Sequence, residues 1–281
     1  MKGKLSASTS IALLLLSGVF LLVAVVPFLP GYDPYSQDLA SSLLTPGEQS
    51  LEGRTYLLGS DTLGRDVLSR LSLAGRISLF IGFSAVLLSL VIGVFLGLIA
   101  GFFRGWVENV IMGIADLQLS IPRVLLLIAV AAILGTGVLK LAILLGVTSW
   151  VVYGRVARAM ALSLREREFV LSATTQGATA AWNIRKHLLP NVLPQMLIVC
   201  SYELGQIIVL EAALSYLGLG VQPPLPSWGL MVSEGQTYLE LDPWLSVLPS
   251  ITLFMLVAGV QIYSQSFTAE NDMSAEMVKA P

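Results

Sequence analysis

Charge is what this sequence has least of: Asp, Glu, Lys and Arg make up 12% of its 281 residues, about half the share of ordinary soluble domains. That scarcity excludes a water-facing surface over most of the chain. Positive charge is not concentrated either, since the net charge is -2, and no basic field for nucleic acid exists. Cysteine occurs once, as Cys200, which excludes an internal disulfide and a thiolate pair at zinc-like spacing. It reads as a small apolar filler within a span. Histidine also occurs once, as His187, a poor basis for metal binding or acid–base work. No G-x-x-x-x-G-K-[ST] phosphate loop is present, so ATP hydrolysis, if coupled to this chain, belongs to another polypeptide.

What is abundant is apolar: 55% of the residues are hydrophobic and the mean hydropathy is +0.80. A hydrocarbon core about 30 Å thick needs about 20 apolar residues as helix. Six such runs follow one another: Ile11 to Leu29, Ile77 to Phe103, about Val107 to Leu134, Val138 to Gly154, about Val192 to Leu217, and Trp244 to Phe267. The fourth is short and reaches full length if Lys140 snorkels and the helix runs on toward Met160. Helices are expected throughout, because unpaired backbone groups in lipid cost several kcal/mol each. The fold class is therefore all-α, a polytopic membrane protein of six transmembrane helices.

Lys2 and Lys4 precede the first run as in a signal peptide. The run exceeds the usual apolar length, however, and Val26-Pro27-Phe28-Leu29-Pro30 offers no small-x-small cleavage site. It is read as a retained span with its amino terminus inside. On that topology ten Lys and Arg fall inside, five fall outside and Arg123 lies within a span, sixteen in all. The bias has the sign of the positive-inside rule. The expected organisation is a first helix plus outer segment (1–76), a core of five helices (77–267) with an internal loop at 155–190, and an inner tail (268–281).

The segments between spans differ in kind. Residues 30–76 are rich in Pro, Gly, Ser, Asp and Glu, and 218–243 hold Pro223, Pro224, Pro226 and Trp228; both read as ordered turns with little regular structure. Residues 155–190 are dominated by Ala, Leu, Arg and Glu and read as helical. Gly177 interrupts this stretch, Thr179 caps a second short helix, and Pro190 ends it, with Pro194 near the start of the fifth span.

Glu168-Phe169-Val170-Leu171-Ser172-Ala173, then Gly177, then Ile184 and His187-Leu188-Leu189-Pro190-Asn191, resembles the loop of permease subunits of ABC importers. Its pattern is EAA, a Gly a few residues on, and a closing LP pair; here Ser172 replaces the first Ala. Gly59-Ser60-Asp61-Thr62-Leu63-Gly64-Arg65-Asp66-Val67-Leu68-Ser69-Arg70 looks like the GTDxxGRDxxSR element of the peptide and nickel importer subfamily's C-type permease. Glu211-Ala212-Ala213-Leu214-Ser215-Tyr216-Leu217-Gly218-Leu219-Gly220-Val221, with Pro223, Pro224, Pro226, Trp228 and Gly229, is similar to its ExxLSFLGLG-PPxPxWG element. The carboxyl end departs from the usual GDxLRDxLDP-like finish, reading Tyr263-Ser264-Gln265-Ser266-Phe267-Thr268-Ala269-Glu270-Asn271.

The resemblance implies an ABC type I importer transmembrane domain in a bacterial cytoplasmic membrane. It implies no cofactor on this chain, with ATP and Mg on two partner ATPases. Its other partners would be a second, B-type permease, making a heterodimer, and an extracytoplasmic solute-binding protein. ATPase docking would fall on Glu168, Ala173, Gly177, Ala178, Thr179, Trp182, Ile184, His187 and Pro190. A short helix ended by Gly and Pro can move as one lever, whereas a floppy loop would absorb the motion. The outer elements contribute Asp61, Gly64, Arg65, Asp66, Pro223, Pro224 and Trp228.

Charges at depth are the remaining candidates. Asp116 and Arg123 stand seven residues apart in the third run and are expected to share a helix face. They read as lining the translocation path, or as a structural ion pair, or, for Asp116, as wetted near the inner interface. Glu203 and Glu211 in the fifth run stand eight residues apart and also share a face, and they read either as pathway or subunit-interface residues or as helix packing. Gly93, Gly97 and Gly101 let another helix approach closely. Trp150, Trp228 and Trp244 are expected to anchor at the interfaces. The functional expectation is a non-catalytic permease half that imports peptides. Chelated nickel or a glutathione-like solute is the alternative cargo, and an ion-coupled secondary transporter using Asp116, Glu203 or Glu211 is a competing class.

Overall fold

A computed structural model describes residues 7–279, with side chains for 8–265. Lys2 and Lys4, and the side chains of the expected tail 268–281, lie outside the described residues. Within them the chain is helical, with isolated bridges at Gln49–Thr55 and Ser60–Asp66 and no strand. The helices are α1 (Ala7–Phe20), α2 (Val67–Phe103), α3 (Gly105–Leu119), α4 (Arg123–Leu134), α5 (Val138–Arg165), α6 (Glu168–Thr175), α7 (Ala180–Asn183), α8 (Leu189–Tyr216), α9 (Trp228–Gln236) and α10 (Trp244–Lys279). Among the described residues, five helical stretches are long and apolar enough to cross a membrane, and α3 with α4 makes a sixth if that pair, bent by 90°, counts as one span.

Two compact units divide the chain. One comprises the chain up to Gly82, Leu134–Leu141 and the chain from Gly205; the other comprises Phe83–Ile133 and Ala142–Leu204. In the first, α1 packs on α10, with Leu16 and Ala12 against Gly259 and Met255 against Gly18. In the second, buried Val94 and Leu98 of α2 meet Tyr153, Ala157 and Ala161 of α5 and Val192 and Met196 of α8. The glycine row of α2 is what lets α5 in. A Cβ on Gly93 would stand 2.4 Å from the Trp150 carbonyl oxygen, and one on Gly97 2.3 Å from that of Gly154.

Several sequence expectations are corrected. Helix α2 starts at Val67, not near Ile77, because the Asp66 carboxylate accepts the Ser69 N–H at 2.8 Å and caps it. Its first turns carry Ser69, Arg70 and Arg76, which hydropathy reads as loop. Pro190 does not end a helix. The turn Ile184–Leu188 widens so that the Leu189 N–H bonds to the Ile184 carbonyl, a π-type turn, and the backbone runs on into α8 past the proline. Residues 218–243 are not all turns, since Ser227 caps α9 by accepting the Leu230 N–H at 3.3 Å.

Two tryptophans are not interfacial anchors. Trp228 is fully buried, its indole N–H donating to the Leu71 carbonyl at 3.1 Å, and its ring lies where a Cβ on Gly75 would be. Trp150 is buried too and donates to Gln118 Oε1 at 3.0 Å. Trp244 is exposed.

Candidate functional site

The segment between α5 and α8 is built from two short helices and a sharp reversal. Glu168 opens α6 and Ala173 lies within it. Gln176, Gly177 and Ala178 then close the helix: the Gly177 N–H bonds to the Thr174 carbonyl and the Ala178 N–H to that of Ala173, both at 3.0 Å. This Schellman arrangement requires a left-handed residue at its second position, and Gly177 has φ +90°. Thr179 then caps α7 as expected, accepting the Trp182 N–H at 3.3 Å.

The two short helices are tied together. Buried Asn183 donates to Thr174 Oγ1 at 3.0 Å. The His187 ring lies 5.4 Å from that of Phe169 and 4.9 Å from that of Trp182. Val170 and Leu188 are buried in the core of this unit, whereas Phe169, Leu171 and Trp182 are exposed. Ala173, Gln176, Gly177, Ala178, Thr179 and Trp182 line a concavity of about 410 Å³. A cluster with a fixed inner face and an apolar outer face is suited to docking a partner surface.

The intramembrane charges divide differently from the expectation. Asp116 and Arg123 do not share a helix face, because the chain bends by 90° between α3 and α4, where Pro122 leaves no N–H for a continuing ladder. Asp116 instead accepts from Arg155 at 2.5 Å. Arg123, the first residue of α4, donates to Ser149 Oγ at 2.6 Å and stands 3.7 Å from Glu203 Oε2. A further pair joins Arg158 to Glu108, with Nε to Oε1 at 2.6 Å. Glu211 is fully buried in the other unit and accepts from Ser215 Oγ at 2.8 Å.

The element around Asp61 forms a second cluster. Asp61 accepts the N–H groups of Leu63 and Arg65 at 2.9 Å and the Arg65 Nε at 2.6 Å. It also receives Arg70, whose other arm reaches Glu234 on α9 at 3.0 Å. Gly64 has φ +71°, and a Cβ there would stand 1.7 Å from the Asp38 carbonyl oxygen, so no side chain fits. Pro223 and Pro224 precede α9 and are joined by a cis bond. Sequence reasoning missed Glu234, Ser149 and Arg155 as partners. Each lies far along the chain from the charge it meets, and no local pattern marks it.

Among the described residues no group of three or more His, Cys, Asp or Glu is placed to hold a metal ion. Long apolar helices, a bent pair of half-length helices and a compact helical knob between α5 and α8 define a polytopic membrane protein. The chain belongs to the family of binding-protein-dependent transport system inner membrane components, matched over residues 93–267, and it is a C-type permease of an ABC importer.

Relatives place it within that family. The di/tripeptide transport system permease protein DppC of Pseudomonas aeruginosa is 37% identical, over 84% of this chain and 78% of that protein. The glutathione transport system permease protein GsiD of Pectobacterium atrosepticum is 36% identical, over 74% and 69%. The nickel transport system permease protein NikC of Escherichia coli is 34% identical, over 91% and 90%. In fold, a chain of the MetNI methionine ABC transporter in an inward-facing conformation matches with a TM-score of 0.54 at 18% identity, over 69% of this chain and 93% of that one. The fold is that of an ABC type I importer transmembrane domain.

Proposed function

We propose that this chain is the non-catalytic C-type half of the membrane domain of a peptide importer, with its amino terminus in the cytoplasm. It pairs with a B-type permease, and two ATPases carrying ATP and Mg dock on the segment from Glu168 to Pro190. An external binding protein delivers a di- or oligopeptide from the side that carries Asp61, Gly64, Arg65 and Asp66. The observation that carries this reading is the construction of the α6–α7 knob. Glycine, cap and Asn183 make it rigid inside, and it presents Phe169, Leu171 and Trp182 outside.

A rigid knob gripped by a closing ATPase moves as a body and transmits that motion to α5 and α8, whereas a compliant one would dissipate it. The path then opens alternately to the two sides. The peptide cargo is favoured by the di/tripeptide and glutathione relatives. A chelated nickel cargo is a second reading, favoured by the length over which the nickel relative matches.

Two measurements test the proposal. Purified from its host, the chain should bring ATPase subunits with it. In that complex Gly177→Leu, which forces a side chain into a left-handed position, should leave ATP hydrolysis running while transport falls. Normal import by a correctly assembled Gly177→Leu complex would sink the lever. The cargo is decided by affinities of the cognate binding protein for peptides and for nickel chelates.

A further inference from the structure

The break between α3 and α4 carries a cation at a helix start. The bend of 90° puts Arg123 at the very start of α4, and broken helices in transporters are where polar groups reach a cargo. The guanidinium there is only partly committed. One of its terminal nitrogens donates to Ser149 Oγ at 2.6 Å, and Ser149 passes its own hydrogen to the Leu145 carbonyl at 2.5 Å. Glu203 Oε2 is 3.7 Å away, near enough to compensate the charge and too far for a hydrogen bond. Two buried atoms therefore have no hydrogen-bond partner, Arg123 Nε and Glu203 Oε2.

Exposure of the two side chains is unequal: 32% for Arg123 and 3% for Glu203. The cation can be reached from outside the unit and the carboxylate cannot. Asp116 is no rival for the guanidinium, being held by Arg155.

We infer that Arg123 recognises a free carboxylate of the passing cargo, with Glu203 holding the guanidinium in readiness. The planar fork suits a carboxylate bidentately, and only one of its two terminal nitrogens is engaged by Ser149 and faces Glu203. Glu203 has a second consequence. Its negative charge stays near the arriving carboxylate and weakens the bond, and a transported species must be bound loosely enough to leave. The inference rests on the peptide-importer reading, since a peptide with a free carboxyl terminus carries this group.

The test compares uptake of one dipeptide with a free carboxyl terminus against the same dipeptide as its amide, in the complete transporter with its binding protein in liposomes. The acid-to-amide uptake ratio is measured for wild type, R123Q, R123K and E203Q. The same binding protein serves all four, so its own preference cancels between them. R123Q should lower the ratio about tenfold, the loss expected for one charge-assisted contact. R123K, a point charge without the fork, should fall between. E203Q should lower the KM for the acid and also lower kcat, because release slows.

An unchanged ratio in R123Q, or in R123K should R123Q fail to assemble, overturns the carboxylate inference alone while peptide import stands. Wild-type transporter that imports neither dipeptide overturns both this inference and the peptide reading.

Discussion

Arg70 and Glu234 lie 164 residues apart in sequence and meet at 3.0 Å. The arginine side chain is almost wholly buried and the glutamate is one-third exposed. Arg70 also engages Asp61, which holds Arg65 in turn. One buried cation thus ties the turn before α2 to α9, a join that the two segments' own backbone hydrogen bonds do not make. A buried charge network of this kind contributes chiefly through what happens when one member is lost, because the remaining ions keep their desolvation cost.

Asp61→Asn should accordingly destabilise the chain by about 3 kcal/mol, the cost of stranding a buried cation. Glu234→Gln, at the wetter end, should cost about 1 kcal/mol. Thermal unfolding of the detergent-solubilised complex measures both, and equal effects would refute the assignment of Asp61 as the centre of the network.

The glycine row of α2 yields a paired prediction. On Gly97 a Cβ would stand 2.3 Å from the Gly154 carbonyl oxygen and 2.8 Å from the Ala157 Cβ, while on Gly113 of α3 it would meet nothing within 4 Å. Gly97→Ala should therefore cost about 1–3 kcal/mol through overpacking, and Gly113→Ala should be neutral or stabilising by about 0.5–1 kcal/mol through helix propensity. Melting temperatures of the two variants that shift alike would contradict the close approach of α2 and α5.

Trp228 fills the space beside Gly75 and donates to the Leu71 carbonyl. Trp228→Phe should cost about 1 kcal/mol for the lost bond, and Trp228→Ala about 3–5 kcal/mol for the cavity as well. An interfacial anchor would show no such gap between the two, so near-equal melting temperatures would count against a structural role.

Asp242 precedes α10, outside the spans, and accepts the Trp244 N–H at 3.3 Å. Burial pushes its carboxyl above the usual value of 3.8, and the hydrogen bond from Trp244 offsets this only in part. The folded chain therefore holds this proton more tightly than the unfolded chain does. The stability it contributes is fully present below the unfolded value and declines as pH rises through the raised folded value. Asp242→Asn keeps a side-chain oxygen able to accept the Trp244 N–H and should flatten the stability profile from pH 4 upward. A decline with rising pH as steep in the variant as in the wild type would refute this.

The candidate docking segment was largely legible in the sequence. Gly177 as an interruption and Thr179 as a cap are local turn chemistry, readable from residue type and spacing alone. Pro190 misled, because a proline normally stops a helix, and the widened turn at Ile184–Leu188 that accommodates it has no sequence mark. The start of α2 misled for the opposite reason. Its first turns carry arginines that hydropathy assigns to water, although Arg70 is buried by ions from elsewhere in the chain.

Composition and hydropathy alone determined that the chain is an all-helical membrane protein, because scarcity of charge and apolar runs of spanning length follow from residue identity without any long-range contact. Three motifs in order likewise carried the family. Tertiary structure alone decided which charge meets which: Arg123 with Glu203 instead of Asp116, Asp116 with Arg155, Arg70 with Glu234. It also decided that Trp228 is a core residue. The physical reason is distance along the chain. A cap or a turn is settled by neighbours within a few residues, whereas an ion pair is settled by whichever remote segment the packing brings within 4 Å.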